Sequence, residues 1–406
     1  MVDIQANVPQ YVRAVMAALA RAGHRGYLVG GSLRDLLRGT TPHDFDLTTD
    51  ATPEEMQLCL GEFRVIPTGI AHGTMTVLSE GNPIEVTTHR ADGEYLDARH
   101  PVSVSFTRRL QEDLSRRDFT VNAMAWSEGV GLVDLFGGQA DLAAGIIRAV
   151  GEPTKRFGED ALRILRAFRF SAQLDFAIEP QTAAGARACR EGLARISVER
   201  ILSELCRLLS APAAARGLAA LLDAACGEYV FGDAKINPVS LSFIEKLPPQ
   251  AEVRLAALLL DEAPERVRAL CRRLHASNAL TDGVVGILEA VKAPLPTDLF
   301  EARRFAVRYF HVLEATLALH EASGKDVAAA ATLLHTVIRD KTAVELRRLA
   351  VNGRELQDRL ALPPQRTGEM LARLQELVWQ EPSRNTKATL LVLASELLSK
   401  ESSQNE

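Results

Sequence analysis

Aromatic residues are scarce in this chain of 406 residues, where Phe, Trp and Tyr together make up 5%. Proteins that hold single-stranded nucleic acid by stacking its bases on many aromatic rings are therefore a poor match. The formal net charge is also small, at −5, which argues against broad, nonspecific binding to nucleic acid. A local basic groove remains compatible with this composition.

Closely spaced cysteines and long apolar runs are missing as well. The five cysteines show no Cys-x-x-Cys spacing, which disfavours a zinc site or a disulfide framework and is typical of reduced thiols in the cytoplasm. No run reaches the ~18 apolar residues of a membrane span, and the first apolar stretch is interrupted by Arg13 and Arg21. We therefore expect a packed cytoplasmic protein with no membrane segment and no obligate protein partner.

What the chain does contain is a glycine turn between an apolar run and a helix. Residues 27–29 form the apolar run and lead into Gly30 and Gly31, as expected where a buried strand meets a tight turn. Residues 32–38 are rich in helix formers, so the turn opens a helix. Backbone N–H groups at such a helix start bind anions, and Arg34 in the first turn is placed to reach a phosphate.

Two carboxylates follow shortly after this helix. Asp44 and Asp46 alternate with apolar residues, which predicts a second strand with both acids on one face, about 6.6 Å apart. Two carboxylates held in this way suit Mg²⁺, which takes oxygen ligands. By itself, a Gly-Gly pair is usually a plain turn and an Asp-x-Asp pair is usually solvated loop. The combination of the two is more specific. His43 next to Asp44 could suggest a metal phosphohydrolase, but no other histidines are spaced to complete such a site, so we interpret His43 as a loop residue.

A third acid, Glu85, stands inside a run with strand character, Ile84-Glu-Val-Thr-Thr88. An acid that faces inward from a strand is costly to bury without a partner. A metal shared with Asp44 and Asp46 would supply that partner. The polar segment 89–113 that follows predicts a loop.

Two further segments carry polar side chains suited to a nucleotide. In residues 116–122, Arg117 suits a phosphate, while Asp118 and Asn122 can hydrogen-bond a ribose and would share one face of a helix.

Residues 157–170 predict one strong helix, on which Asp160 and Arg163 are three apart and share a face, with Arg166 one turn on. For such a pair in general, a surface ion pair is the commoner interpretation.

Together these segments resemble the nucleotidyltransferase family of tRNA CCA-adding enzymes and bacterial poly(A) polymerases, class II. The resemblance covers about residues 25–215, and it is most similar to bacterial CCA-adding enzymes. It implies an α+β multidomain fold, in which a mixed α/β head is followed by all-helical segments. We expect these parts to be a head over 1–150, a neck over 151–215, a body over 216–300 and a tRNA-binding tail over 301–406.

The resemblance also implies an activity, which is template-free addition of C, C and A to the tRNA 3′ end from CTP and ATP, with release of pyrophosphate. Asp44, Asp46 and Glu85 are the implied catalytic residues, and the first two would hold Mg²⁺. The implied nucleotide-binding residues are Gly30, Gly31, Arg34, Arg117, Asp118, Asn122, Asp160, Arg163 and Arg166. Among these, Asp118 would read the ribose 2′-OH, and Asp160 with Arg163 would select the base beside Glu159. The loop at 89–113 would help to switch from C to A addition.

Other functions stay open at this point. A poly(A) polymerase or an A-adding specialist would use the same chemistry, and a non-catalytic RNA-binding protein would share the fold. Residues 161–216 carry nine arginines against five acids, which indicates either solvated helix faces or the start of an RNA path. Further basic clusters occur at 268–273 and 303–308.

Overall fold

The computed structural model describes residues 3–92, 104–339 and 349–404. The chain divides into two compact units, one of Met1–Asp233 with Arg272–Ala276 and one of Ala234–Cys271 with Ser277–Glu406. The predicted fold class is confirmed, because the strands come early in the chain and the rest is helical. The finer division into head, neck, body and tail stays a prediction.

The strands described all lie in the first unit. Their bounds are β1 Gly26–Val29, β2 Asp46–Thr49, β3 Arg64–Gly69, β4 Thr74–Ser79, β5 Asn82–Thr88, β6 Arg90–Asp92, β7 Val104–Phe106, β8 Met124–Ser127, β9 Gly131–Asp134, β10 Ile146–Ile147 and β11 Ala177–Ile178. Seven of these strands form one sheet in the order β3-β4-β5-β2-β1-β8-β9, in which β2 and β5 are parallel and the other neighbours are antiparallel. The pairs β6–β7 and β10–β11 stand apart from it.

Helices of the first unit cover and extend this sheet. Their bounds are α1 Ile4–Asn7, α2 Gln10–Arg21, α3 Gly30–Leu37, α4 Pro53–Cys59, α5 Leu110–Ser115, α6 Gly138–Ala144, α7 Pro153–Glu159, α8 Leu162–Leu174, α9 Pro180–Ala188, α10 Val198–Leu209, α11 Ala214–Asp223 and α12 Gly227–Phe231. The sequence explains why α4 begins at Pro53. Thr52 and Glu55 form a reciprocal capping box, and proline is favoured at the first helical position.

The core of the head lies between α2 and the sheet. Val12, Val15 and Leu19 recur at helical spacing on α2 and are fully buried, and Leu28 and Leu47 meet them from β1 and β2. This burial of one helix face and one sheet face stabilises the platform that carries the polar residues at the end of β1.

The other described helices follow later in the chain. Their bounds are α13 Ala251–Leu258, α14 Pro264–Arg273, α15 Asn278–Lys292, α16 Leu299–Tyr309, α17 Leu313–Ala322, α18 Ala328–Arg339, α19 Gly353–Leu360, α20 Pro364–Gln380 and α21 Lys387–Gln404. A separate apolar cluster, which includes Leu356, Leu374 and Leu390, joins the last three of them. Every helix in the described residues is too short or too polar to cross a lipid bilayer.

Two expectations about local structure are wrong. The single helix expected over 157–170 is interrupted, because Asp160 has an extended backbone between α7 and α8. The segment 89–113 is not one loop, since it contains β6, β7 and α5. Residues 93–103, on which the expectation of a mobile loop rests, lie outside the described residues.

Candidate active site

The glycine turn and the acidic motif meet where β1 ends. Val29, the last residue of β1, pairs directly with Asp46, the first residue of β2. Gly30 then has a φ of +70°, in the left-handed region that favours glycine, and α3 begins at this residue. A Cβ atom on Gly30 would lie 3.5 Å from the Arg117 guanidinium and 3.8 Å from the Asp46 carboxylate. The turn therefore brings backbone, arginine and carboxylate to one place.

These residues open onto a cleft of about 620 Å³, which we call the arginine cleft because seven arginines and five aspartates line it. It brings together eleven of the twelve residues predicted from the sequence. They are Gly30, Gly31, Arg34, Asp44, Asp46, Arg117, Asp118, Asn122, Asp160, Arg163 and Arg166. Residues that are far apart in the sequence thus form one polar site, whose excess of arginine suits an anionic ligand.

The two aspartates of the acidic motif differ in their surroundings. Asp44 is exposed and lies in the bend before β2, so the expectation that both acids belong to the strand is wrong for Asp44. Asp46 is half-buried. Burial, together with the neighbouring charges of Asp44 and Glu85, raises the pKa of Asp46 to about 6, although Arg117 acts in the opposite direction. The Asp46 carboxylate therefore lacks the positive charge that would fully stabilise its ionised form.

Glu85 does not line the arginine cleft. It pairs in register with Asp46 across the parallel strands β2 and β5, but its side chain is exposed. The expectation of an inward-facing acid is wrong, because Ile84 and Val86 take the buried positions on either side and alternation turns Glu85 outward. Its charge still acts on Asp46, and its role as a third catalytic carboxylate stays a prediction.

The donor set at Asp44 and Asp46 fits a divalent cation. Within the residues described, no three His, Cys, Asp or Glu side chains are grouped closely enough to hold a metal by themselves. Mg²⁺ is commonly bound by one or two carboxylates together with the phosphates of a substrate. The deficit of positive charge at Asp46 is what such an ion would relieve, so these two aspartates fit it in the presence of a nucleotide.

A chain of hydrogen bonds links α3, the helix that begins at the glycine turn, to the helix α8. Arg34, which is 4% exposed, donates from Nη1 to Asn122 Oδ1 at 2.8 Å. Asn122 Nδ2 donates to Asp118 Oδ1 at 3.1 Å, and Arg166 donates from Nε and Nη2 to Asp118 Oδ2 at 2.8 and 2.6 Å. The helix expected between Asp118 and Asn122 is instead a single 3₁₀ turn over Thr120–Asn122, which still allows their side chains to meet.

Asp118 is ionised and almost fully engaged. Burial acts to raise its pKa, but Arg166 and Asn122 outweigh burial and lower the pKa of Asp118 to about 2. Its Oδ1 also accepts from the backbone N–H of Phe119 at 2.8 Å, so that each carboxylate oxygen accepts two hydrogen bonds. A carboxylate has about four such positions. Asp118 therefore fixes Asn122 and Arg166, and a ribose hydroxyl would have to replace one of these bonds to reach it.

A buried acid that was not predicted holds Arg116 and Arg117, the two arginines at the start of the segment 116–122. Asp113 is fully buried and accepts from Arg116 at 3.0 and 2.6 Å and from Arg117 at 3.1 Å. Burial acts to raise the pKa of Asp113, but the two guanidiniums hold it well below its usual range. Arg117 Nε is buried without a hydrogen-bond partner among the described residues. A ligand oxygen is the kind of group that would satisfy this donor.

The side chains of Asp160 and Arg163 both line the cleft but do not pair with each other, and only the backbone N–H of Arg163 donates to the carbonyl oxygen of Asp160, at 3.0 Å. Arg163 donates to Glu159 at 2.7 Å and to two backbone carbonyl oxygens, those of Arg156 and Arg116, at 3.1 and 3.0 Å. Asp160 accepts from the backbone N–H of Leu162 at 3.0 Å and from Arg200 at 3.3 Å. The surface ion pair that their spacing allowed is therefore absent. Three N–H groups of Arg163 are used in these bonds, which leaves two for a ligand.

The first unit matches two known family models. Residues 26–148 match the model described as the Poly A polymerase head domain. Residues 175–234 match the model described as a probable RNA and SrmB-binding site of polymerase A.

Curated relatives extend the match to nearly the whole chain. A CCA-adding enzyme from Limosilactobacillus fermentum is 36% identical over 398 residues, which cover 95% of this chain and 96% of the relative. One from Streptococcus gordonii is 37% identical over 367 residues, covering 89% and 90%. This chain belongs to the family of CCA-adding enzymes. The predicted resemblance is thereby confirmed, and so is the prediction that the chain is a nucleotidyltransferase.

Solved structures of CCA-adding enzymes share the architecture. The crystal structure of the Bacillus stearothermophilus CCA-adding enzyme in complex with CTP has a TM-score of 0.81 and 30% identity, and covers 97% of this chain and 98% of that one. A Thermotoga maritima CCA-adding enzyme complexed with tRNA has a TM-score of 0.66 at 21% identity, which shows the common fold.

Sequence reasoning missed several residues in and beside the arginine cleft. Asp113 had a detectable signal, since it stands three and four residues before Arg116 and Arg117, a spacing at which an acid and an arginine can pair. Arg200 had none, because it reaches Asp160 from 40 positions away. Phe170 also lines the cleft and reads in the sequence as an ordinary apolar residue of an amphipathic helix.

Proposed function

We propose that this protein adds C, C and A in turn to the 3′ end of tRNA, using CTP and ATP without a nucleic-acid template. The observation that carries this proposal is the meeting of Asp46 with the Gly30 turn, within one cleft rich in arginine. Two carboxylates that could hold a cation, the glycine turn that could bind a triphosphate and side chains that could read a base all line this cleft. The five cysteines are free thiols, which is typical of a protein that functions in the reducing cytoplasm.

The reaction is a single displacement at the α-phosphorus of the nucleotide. The tRNA 3′ oxygen forms the new bond to phosphorus, the bond between the α-phosphorus and the bridging oxygen breaks, and pyrophosphate leaves. Asp44 and Asp46 would hold Mg²⁺, which supplies Lewis acidity by lowering the pKa of the attacking hydroxyl and by neutralising charge on the leaving group. Arg117 and the Gly30-Gly31 turn would bind the triphosphate, with Arg34 beside them, and so orient the α-phosphorus.

Base selection is assigned to Asp160 and Arg163. Cytosine and adenine each present an exocyclic amine, which donates, next to a ring nitrogen, which accepts. Uracil and guanine present a carbonyl oxygen and a ring N–H in the same places. A carboxylate can only accept and a guanidinium can only donate, so Asp160 opposite the amine and Arg163 opposite the ring nitrogen fit C and A. Glu159 supports this by fixing Arg163 at 2.7 Å.

The experiment is nucleotide addition to tRNA that lacks its three terminal nucleotides. Purified protein is given each nucleoside triphosphate alone and in pairs, and the products are resolved at single-nucleotide length. CTP alone should add two residues, CTP with ATP should add three, and UTP and GTP should add none. Repeated addition from ATP alone would instead indicate a poly(A) polymerase, and a single A on tRNA that already ends in CC, with no C addition, would indicate an A-adding specialist.

A further inference from the structure

The ring of Phe170 is surrounded by guanidinium groups. Phe170 lies on α8, lines the arginine cleft and is 6% exposed. The central guanidinium carbon of Arg169 is 3.9 Å from the ring centroid, and those of Arg34 and Arg166 are 5.4 and 5.3 Å away. Three cations around one buried ring is an arrangement that apolar packing alone would not select, because like charges repel in a medium of low dielectric constant.

Each of the three arginines has a carboxylate of its own. Arg34 contacts Asp35 at 2.8 Å, Arg166 contacts Asp118 at 2.6 Å and Arg169 contacts Glu204 at 2.6 Å. These pairs reduce the repulsion between the cations but do not place them around the ring. The negative face of an aromatic ring attracts a guanidinium, and the attraction is stronger away from water. Among the contacts of the described residues, the ring is a group that all three arginines share.

Two of these arginines are the ends of the hydrogen-bond chain described above. Arg34 begins the chain through Asn122 and Asp118, and Arg166 ends it. Because both end groups lie over the ring of Phe170, the ring closes the chain. Arg34 belongs to α3 and Arg166 to α8, so Phe170 joins the helix of the glycine turn to the helix that carries Arg163.

We propose that Phe170 is a positioning residue for the incoming nucleotide, and that the π-face of its ring holds Arg34 and Arg166 where the nucleotide meets them. This inference rests on the proposed function. Both guanidiniums keep N–H groups that the bonds given above do not use, two on Arg34 and three on Arg166, and both arginines line the cleft proposed for the nucleotide. A ring that holds them in advance lowers the entropic cost of binding.

The plain alternative is that Phe170 only fills space. It does pack against Phe119 in an edge-to-face contact, with centroids 5.8 Å apart and planes at 80°. Packing and π-attraction respond differently to fluorine, which withdraws electron density from the ring face and changes its size little. A graded fluorination series therefore separates the two roles.

The test places phenylalanine with one, two or three ring fluorines at position 170 of the full-length enzyme and measures CTP binding by calorimetry. We expect the dissociation constant to rise stepwise, by about tenfold in total for the loss of a buried cation–π contact. The thermal midpoint should change little. Phe168 is the matched control, since it is buried on the same helix and no described guanidinium lies over its ring. The same series at position 168 should leave CTP binding unchanged.

Substitutions give a second measure. Phe170→Leu should weaken CTP binding by about as much as the trifluorinated ring does. Phe170→Tyr should bind CTP about as well as the unmodified enzyme, since tyrosine keeps an aromatic ring. A flat series at position 170, or an equal slope at position 168, overturns the role of Phe170 while leaving the proposed function intact. If the unmodified enzyme neither binds CTP nor adds C to tRNA, the proposed function fails and this inference falls with it.

Discussion

Arg166 donates two hydrogen bonds to a single oxygen of Asp118, at 2.8 and 2.6 Å. The pair joins the segment 116–122 to the helix α8, and the Asp118 side chain is largely shielded from water. Since a buried carboxylate without its arginine is costly, this contact stabilises the fold as well as shaping the cleft.

The first prediction concerns the pH dependence of this pair. Asp118 has a folded-state pKa of about 2, below the ~3.9 of an unfolded chain, so its ionised form stabilises the fold above pH ~4 and that stabilisation is lost as pH falls toward 2. Asp118→Asn should therefore lower the free energy of unfolding by about 2 kcal/mol at pH 7. Urea titrations at several pH values should show this difference shrinking below pH ~4. If the difference in the free energy of unfolding between the two proteins were as large at pH 2.5 as at pH 7, the charge of Asp118 would not be what stabilises the fold.

The second prediction concerns base selection. Asp160→Ala should lose much of the discrimination against UTP and GTP, and Arg163→Ala should slow both C and A addition. Two mismatched contacts at roughly 2–3 kcal/mol each correspond to rejection on the order of a thousandfold. Incorporation of each nucleotide alone, on tRNA ending before or after its two cytidines, measures this. Arg200→Gln is the comparison, because it frees Asp160 from its neighbour without removing the carboxylate. Wild-type rejection of UTP by Asp160→Ala would place base selection elsewhere.

The third prediction concerns the RNA path. Of the nine arginines in 161–216, five are paired with acids, while Arg187, Arg195 and Arg207 are exposed. Changing these three to glutamine should weaken tRNA binding and flatten its dependence on salt, because a protein with fewer phosphate contacts releases fewer counterions when it binds.

Arg216→Gln is the matched control, since Arg216 is already neutralised by Asp175 at 2.7 Å. Filter binding at several salt concentrations gives the slopes. An equal effect of the control variant would show that general charge, and not a defined path, governs the affinity.

Local patterns were enough to predict the strand–turn–helix at Gly30 and the acids after it, because each step depends on neighbours in the sequence. The break between α7 and α8 at Asp160 was not predicted, since the spacing of apolar residues over 157–170 favours an unbroken helix. Aspartate is nonetheless common at helix starts, and Asp160 accepts a hydrogen bond at 3.0 Å from the backbone N–H of Leu162, the first residue of α8. The inward orientation expected for Glu85 was an avoidable error, because Ile84 and Val86 alternate with it and take the buried positions, while its catalytic role stays a prediction.

Contacts between distant segments could not be predicted. The reach of Arg34 to Asn122 spans 88 positions, and that of Arg166 to Asp118 spans 48. Each depends on how α3 and α8 pack against the head, which no local spacing encodes. The gathering of three arginines around Phe170 has the same origin, since one of them comes from α3.

The most direct test of the account is single-turnover addition of CMP by variants of the acidic motif, with tRNA binding measured separately. Asp44→Ala and Asp46→Ala should each lose nucleotide addition by several orders of magnitude, because cation binding supports both the attacking hydroxyl and the leaving pyrophosphate. Their affinity for tRNA should stay near that of the unmodified enzyme. Thr41→Ala, at an exposed position close to the two aspartates but not among the residues that line the cleft, should add CMP normally. Near-normal addition by Asp44→Ala or Asp46→Ala would contradict the assignment of the active site.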